Sequence, residues 1–231
     1  VIEVIREHVK PIKYEITVKK GASCFMIGVN DMGKLQLFQL NKVVCDLSKD
    51  LIQKSYPNVN EEKISEFFTN PNPKGKLLLF HGIPGSGKTT YIRHLLSNVY
   101  SGKVVFVNAE IFSKLTSASF IPFAIKNLQR SLLLIEDAEQ LLVSRGQDHT
   151  DRNSSVADLL NYTDGLLGDA LNLKVLATFN TSVQEIDSAL LRKGRLNHRE
   201  EFSYLDKEQA EVLYKHLTGE DKELEHKNYS L

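Results

Sequence analysis

The segment Gly82-Ile83-Pro84-Gly85-Ser86-Gly87-Lys88-Thr89 constrains this chain more than any other part of it. It is a complete G-x-x-x-x-G-K-[ST], with an apolar run at 77–81 before it and a helix-periodic stretch from Thr89 after it. The glycines let successive backbone N–H groups curl around phosphate oxygens, and a helix N-terminus at the same place adds a favourable dipole. Lys88 can reach the β- and γ-phosphates of a nucleotide, the Thr89 hydroxyl can ligate Mg²⁺, and Thr90 completes the nucleotide-binding set. A flexible glycine-rich turn is the competing reading, and the strand-loop-helix setting weighs against it.

From Lys76 onward, short apolar runs at 77–80, 104–107, 132–135 and 175–179 alternate with helical periodicity. Uninterrupted apolar strands of this kind are buried on both faces of a parallel sheet. Ile92, Leu95, Leu96 and Val99 fall at i, i+3, i+4 and i+7, and Val156, Leu159, Leu160 and Thr163 repeat that spacing behind Ser155 and Asp158, placed as a capping box. Asp206 with Gln209 opens a further helix, with Ala210, Leu213, Tyr214 and Leu217 on one face before Gly219. The fold class expected is α/β, a parallel sheet flanked by helices, over residues 76–205.

The ends of the chain read differently. Tyr14, Ile16 and Val18 alternate with polar residues, and runs at 22–29 and 34–40 flank Asn30-Asp31-Met32-Gly33 as a hairpin would. Residues 1–45 are therefore expected to form a small antiparallel β module. Residues 46–75 read as a connector with a short helix at 61–68, stopped by the prolines at 71 and 73. Residues 206–231 read as the start of a short or truncated helical lid.

Charge narrows the partners. Lys plus Arg number 29 and Asp plus Glu number 29, so no basic excess supports a dedicated nucleic-acid binder. The two cysteines, Cys24 and Cys45, exclude a disulfide-dense scaffold. No apolar run approaches the roughly 18–20 residues of a membrane span, and no signal-peptide pattern opens the chain. A cytoplasmic protein is the expectation. The start at Val-Ile-Glu, without an initiator Met, is what a piece of a longer protein would show.

Two further strand ends carry chemistry. Leu132-Leu133-Leu134-Ile135 leads into Glu136-Asp137, carboxylates placed to hold the Mg²⁺ shell and to orient an attacking water. Glu136 is the candidate metal residue and Asp137 the candidate base; a pair merely capping the next helix is the alternative. Asn180 ends the run Val175-Leu176-Ala177-Thr178-Phe179, where its amide could bond both a γ-phosphate oxygen and the lytic water. Alone it would read as a turn or cap residue.

The segment Ile186-Asp187-Ser188-Ala189-Leu190-Leu191-Arg192-Lys193-Gly194-Arg195 follows. With it, the chain from about Gly75 to Leu217 resembles the AAA family of P-loop ATPases. The phosphate loop, the acidic strand, the Thr-x-Asn strand and the Arg-x-x-Arg segment stand in family order. The Glu-Asp order, Asn161-Tyr162-Thr163-Asp164-Gly165 and the run from Gly194 to Phe202 resemble the branch containing the mitochondrial translocase that assembles respiratory complex III. The resemblance implies a P-loop NTPase fold, ATP and Mg²⁺ as cofactors, and a homo-oligomeric, usually hexameric, ring acting on a protein substrate. It also implies that Arg192 and Arg195 reach into a neighbour's site as arginine fingers, a salt bridge within the subunit being the competing reading for each. Phe120-Ile121 is the candidate pore loop, with a core-packing Phe120 as its alternative, and the polar stretch 144–154 reads as a loop near that pore.

The leading expectation is an ATP-hydrolysing ring motor or chaperone that remodels or moves a protein. A slow-hydrolysing ATP-binding scaffold or switch is the alternative, since Asp137 is short for a base. A P-loop small-molecule kinase is a further one; it leaves Arg192 and Arg195 without a role.

Overall fold

Successive residues of one strand go to opposite faces of a sheet, and here both faces are covered. The computed structural model describes residues 21–108, 111, 117, 119–139, 165–181, 186, 191, 194–225 and 229–231. Along the chain run β1 (Ser23–Val29), β2 (Leu35–Gln39), α1 (Lys49–Ser55), α2 (Glu61–Thr69), β3 (Leu77–Gly82) and α3 (Lys88–His94). Then come β4 (Lys103–Phe106), α4 (Phe120–Asn127), β5 (Ser131–Ile135), α5 (Gly165–Leu171), β6 (Lys174–Phe179), β7 (Leu196–Phe202) and α6 (Lys207–Thr218). The last turn after α3, Leu95–Val99, widens to π geometry.

The strands form one seven-stranded sheet in the order β2-β1-β4-β5-β6-β3-β7. Every pairing is parallel except the β1–β2 hairpin. β3, β5 and β6 are buried along their whole length, which is why their sequences do not alternate. Leu77, Leu79, Leu133, Ile135, Val175 and Ala177 face one apolar cluster, with Phe123 and Leu128 from the α4 side. Leu78, Phe80, Leu132, Leu134 and Leu176 face the other, with Ile64 and Phe67 of α2 and Tyr91 and Ile92 of α3. The expected α/β sheet flanked by helices is the observed one.

Three expectations are corrected. The hairpin forms, its turn tied by the Asn30 side chain accepting from the backbone N–H groups of Met32 and Lys34 at 3.1 and 3.0 Å. It is not a separate module: β1 pairs in parallel with β4 from Ser23↔Lys103 to Met26↔Phe106, and buries Cys24 and Ile27 in opposite clusters. A lone two-stranded hairpin would be marginal in water, and the sheet supplies what it lacks. The stretch expected as a connector likewise packs into the core through α1 and α2, with Ile52, Ile64, Phe67 and Phe68 buried. Phe120, the pore-loop candidate, is 0% exposed at the start of α4 and packs against Phe123, so it is a core residue.

At the other end, Asp206 and Gln209 open α6 as expected, and they do so as a capping box. Asp206 accepts from Gln209 N at 2.8 Å while the Gln209 side chain accepts from Asp206 N at 3.2 Å, and Gly219 ends the helix at φ +79°. Leu205, Ala210, Leu213 and Tyr229 form a small cluster with Leu51 of α1 at its rim. The Tyr14–Val18 strand, the helix of Val156–Thr163, the stretch 144–154 and Arg192 lie outside the described residues. Among the described residues, no helix is long and apolar enough to cross a membrane.

Candidate functional site

The strand order brings the C-terminal ends of β5, β6 and β3 side by side, and those ends carry the acidic pair, Asn180 and the glycine loop. In open parallel sheets that edge is where ligands bind. β3 enters the loop at Gly82, whose φ is +137° and where a Cβ would lie 2.0 Å from the Phe202 carbonyl oxygen of β7. Only glycine fits there, because β7 presses its backbone against the start of the loop.

Lys88 is 6% exposed. Its ammonium donates to the carbonyl oxygens of Gly82 at 3.0 Å and Ile83 at 2.9 Å, spanning the loop it belongs to. Burial pulls its pKa below the ordinary lysine value, opposed by the carboxylates of Glu139 and then Asp137. The cation thus sits at the floor of the loop, held by weak neutral acceptors that phosphate oxygens would outcompete. Ser86 donates to the Ile83 carbonyl at 2.8 Å and closes the loop upon itself.

From the opposite side, the Tyr56 hydroxyl donates to the Gly87 carbonyl at 3.0 Å, and a Cβ on Gly87 would lie 2.5 Å from that hydroxyl oxygen. Thr90 lies close enough to the Tyr56 phenol to act on its titration, so this threonine stands on the tyrosine side of the loop. Tyr56 is edge-on to Tyr91 at 4.9 Å between ring centroids, which fixes the loop to the core. No sequence pattern singles Tyr56 out, because it acts across 31 residues.

The acidic pair divides. Glu136 Oε1 accepts from the Thr89 hydroxyl at 3.0 Å, joining the end of β5 to the end of the loop. Asp137, at φ +50°, turns towards β6: its N–H donates to Thr178 Oγ1 at 2.9 Å, and its Oδ1 accepts from Asn180 Nδ2 at 2.7 Å. Thr178 therefore sets the acidic turn, a role read only loosely from the Thr-x-Asn pattern. Glu139 was missed. Its Oε1 accepts from Asn180 Nδ2 at 2.8 Å and its Oε2 from Asn180 N at 3.2 Å. The signal was a third acid two places beyond Asp137, which alone reads as a solvated helix start.

Thr89 and Glu136 offer hydroxyl and carboxylate oxygens beside a phosphate loop. That donor set fits Mg²⁺, which takes one or two protein oxygens and completes its shell with phosphate oxygens and water. Arg195 lies elsewhere. Its carbonyl oxygen accepts from Leu77 N at 3.0 Å, at the start of β3, whereas the loop begins at the far end of that strand. Five residues at about 3.3 Å each put Arg195 roughly 16 Å from Gly82.

Residues 78–204, more than half of the chain, match the family described as ATPase family associated with various cellular activities (AAA). A protein of Arabidopsis thaliana named as an AAA-ATPase is 27% identical over 167 residues, covering 62% of this chain and 33% of that protein. The 26S proteasome regulatory subunit 6B homolog of Encephalitozoon cuniculi is 27% identical over 158 residues, covering 64% of this chain and 39% of its own length. That of Schizosaccharomyces pombe is 26% identical over 159 residues, with the same coverage of 64% and 39%. The chain therefore matches between 33% and 39% of the length of these relatives.

Proposed function

Because the chain belongs to the AAA family of ATPases, we propose that it hydrolyses ATP to ADP and phosphate within a homo-oligomeric ring that remodels or moves a protein substrate. The observation that carries this reading is the convergence of two pairs, Thr89 with Glu136 and Asp137 with Asn180, on one strand edge beside Lys88. The relatives named as regulatory subunits of a 26S proteasome support a machine built of several subunits. The Glu136-Asp137 order supports a place near the branch of the complex III translocase, and a hexamer is the ring the family pattern favours.

In this reading, Lys88 exchanges the carbonyls of Gly82 and Ile83 for β- and γ-phosphate oxygens. Thr89 and Glu136 would hold Mg²⁺, which would supply positive charge against the phosphates. Asp137 accepts the proton of a water whose oxygen bonds to the γ-phosphorus, while the bond from that phosphorus to the bridging oxygen breaks and leaves with ADP. Asn180 donates to the γ-phosphate. Arg195, too far from its own loop, serves the site of the next subunit together with Arg192, where guanidinium groups offset charge developing on the phosphoryl oxygens.

A slow scaffold remains a second reading, favoured by the bond that caps Asp137. Calorimetry and phosphate release test both. Lys88→Ala should weaken ATP binding by at least about tenfold, as expected for a charge-assisted bond of about 1.5–3 kcal/mol. Unchanged affinity would remove the loop from the mechanism. Tight binding by the wild type with negligible phosphate release at all protein concentrations would favour the scaffold.

A further inference from the structure

We propose that Glu139 is a positioning residue that makes the release of Asp137 depend on a γ-phosphate, an inference that rests on the ATPase reading above. The amide of Asn180 is planar, and its two N–H bonds point apart. One is directed at Asp137 Oδ1 at 2.7 Å and the other at Glu139 Oε1 at 2.8 Å. Two flanking carboxylates fix which end of the amide faces them, because the amide oxygen would be repelled. Both donors are thereby committed, and Asp137 is capped by one of them.

The two carboxylates hold Asn180 unequally. Asp137 has a single bond to it, whereas Glu139 grips both the side chain and the main chain, the latter through Oε2 at 3.2 Å. A γ-phosphate arriving at Lys88 brings several oxygens that compete for an N–H donor. The bond easier to give up is the single one to Asp137. Once it is given up, Asp137 is free to accept a proton from water, and Glu139 keeps the amide plane in place. With ADP the γ-phosphate oxygens are absent, and Asp137 stays capped. Without Glu139 the amide can turn about its last torsion and remain on Asp137 whatever nucleotide is bound.

The test uses Glu139→Ala and Glu139→Gln in the intact protein, with three readouts: steady-state phosphate release, Mg²⁺ titration, and the affinity ratio of AMP-PNP to ADP. Positioning groups of this kind typically carry about 10–100-fold in activity. Glu139→Ala should lose that much kcat while its affinity for ADP changes by less than about twofold, and its preference for AMP-PNP over ADP should shrink. Glu139→Gln keeps one acceptor oxygen and should fall between the wild type and alanine in kcat; it also serves if the alanine variant does not fold. A kcat within about twofold of wild type in folded Glu139→Ala overturns the inference, as does the same result in Glu139→Gln where the alanine variant does not fold. So does a rise of about tenfold or more in the Mg²⁺ needed for half-saturation, which would make Glu139 a metal residue. Failure of the wild type to bind nucleotide overturns the ATPase reading and this inference together. Normal binding and turnover with insensitive variants overturns this inference alone.

Discussion

The carboxylate of Asp137 and the carboxamide of Asn180 come from the ends of neighbouring strands and meet at 2.7 Å. Parallel pairing of β5 with β6, ending at Ile135↔Ala177, makes that meeting a consequence of register rather than of loop placement. A mechanism that needs a base and an amide at one phosphate therefore draws on residues one and two places beyond paired strand ends.

Binding and hydrolysis should separate at this pair. Asp137→Asn keeps a hydrogen-bonding group of the same size but cannot take a proton. It should bind ATP within about threefold of wild type and lose about 10²-fold or more of its turnover, in the range of general base catalysis. Glu136→Gln should instead raise the Mg²⁺ concentration needed for half-maximal activity. Phosphate-release assays across a Mg²⁺ series check both, and two variants with wild-type behaviour would dissolve the division of labour between the two acids.

The junction of β3 with the loop makes a stability prediction. Gly82→Ala places a methyl group where the Phe202 carbonyl oxygen stands 2.0 Å away, at a φ of +137°. Strain and overpacking together should cost at least about 2 kcal/mol, or about 4–8 °C in Tm for a chain of this size. Gly85→Ala meets no atom within 4 Å and should cost only its left-handed backbone, about 1 kcal/mol. Equal melting temperatures for the two variants would refute the tight approach of β7.

Lys174 makes another. Its buried ammonium donates to the carbonyl oxygens of Phe67, Phe68 and Asn70 at 2.7, 3.0 and 2.8 Å, closing the end of α2. Lys174→Met should lose about 1–3 kcal/mol, the cost of leaving buried acceptors unsatisfied. Burial, and then the nearby Lys76 ammonium, pulls the Lys174 pKa to about 8 from 10.5. Between those values the unfolded chain binds more protons than the folded one, so the contribution of this group makes stability rise with pH through that window. Denaturant melts from pH 7 to 10 should show a smaller rise in the methionine variant; an identical slope would mean that Lys174 titrates normally.

The glycine loop was legible because its chemistry is local: eight consecutive residues, with an apolar run before and a helical period after. The acidic pair and Asn180 were legible because buried strands announce themselves by unbroken apolar runs, and their next residues must lie on the ligand edge. Glu139 and Tyr56 were not, since nothing in their surroundings along the chain distinguishes them; their partners lie 41 and 31 residues away. The hairpin at Asn30 could be read from its turn, but not its place in the sheet, because parallel pairing of β1 with β4 joins segments about 80 residues apart. Phe120 suggested a pore because an exposed aromatic and a buried one look alike in a Ser-rich run. Only packing against Phe123 decides between them.

The central claim is an ATPase site completed by a second subunit, and mixing two inactive variants tests it most directly. Arg195 lies immediately before β7, at the end of the sheet remote from the loop, its carbonyl accepting from Leu77 N. In the isolated subunit the site has Lys88 and its acids without that guanidinium. Removing an arginine finger costs about 10³–10⁵ in rate in known P-loop systems. Asp137→Asn and Arg195→Ala should therefore each be close to inactive alone. Mixed, they create interfaces in which an intact loop and Asp137 from one chain face an intact Arg195 from the other. Phosphate release from the mixture should exceed the sum of the separate variants and rise more steeply than linearly with protein concentration. No recovery on mixing, with strictly first-order dependence on wild-type concentration and a monomer by light scattering in ATP, would contradict the shared site.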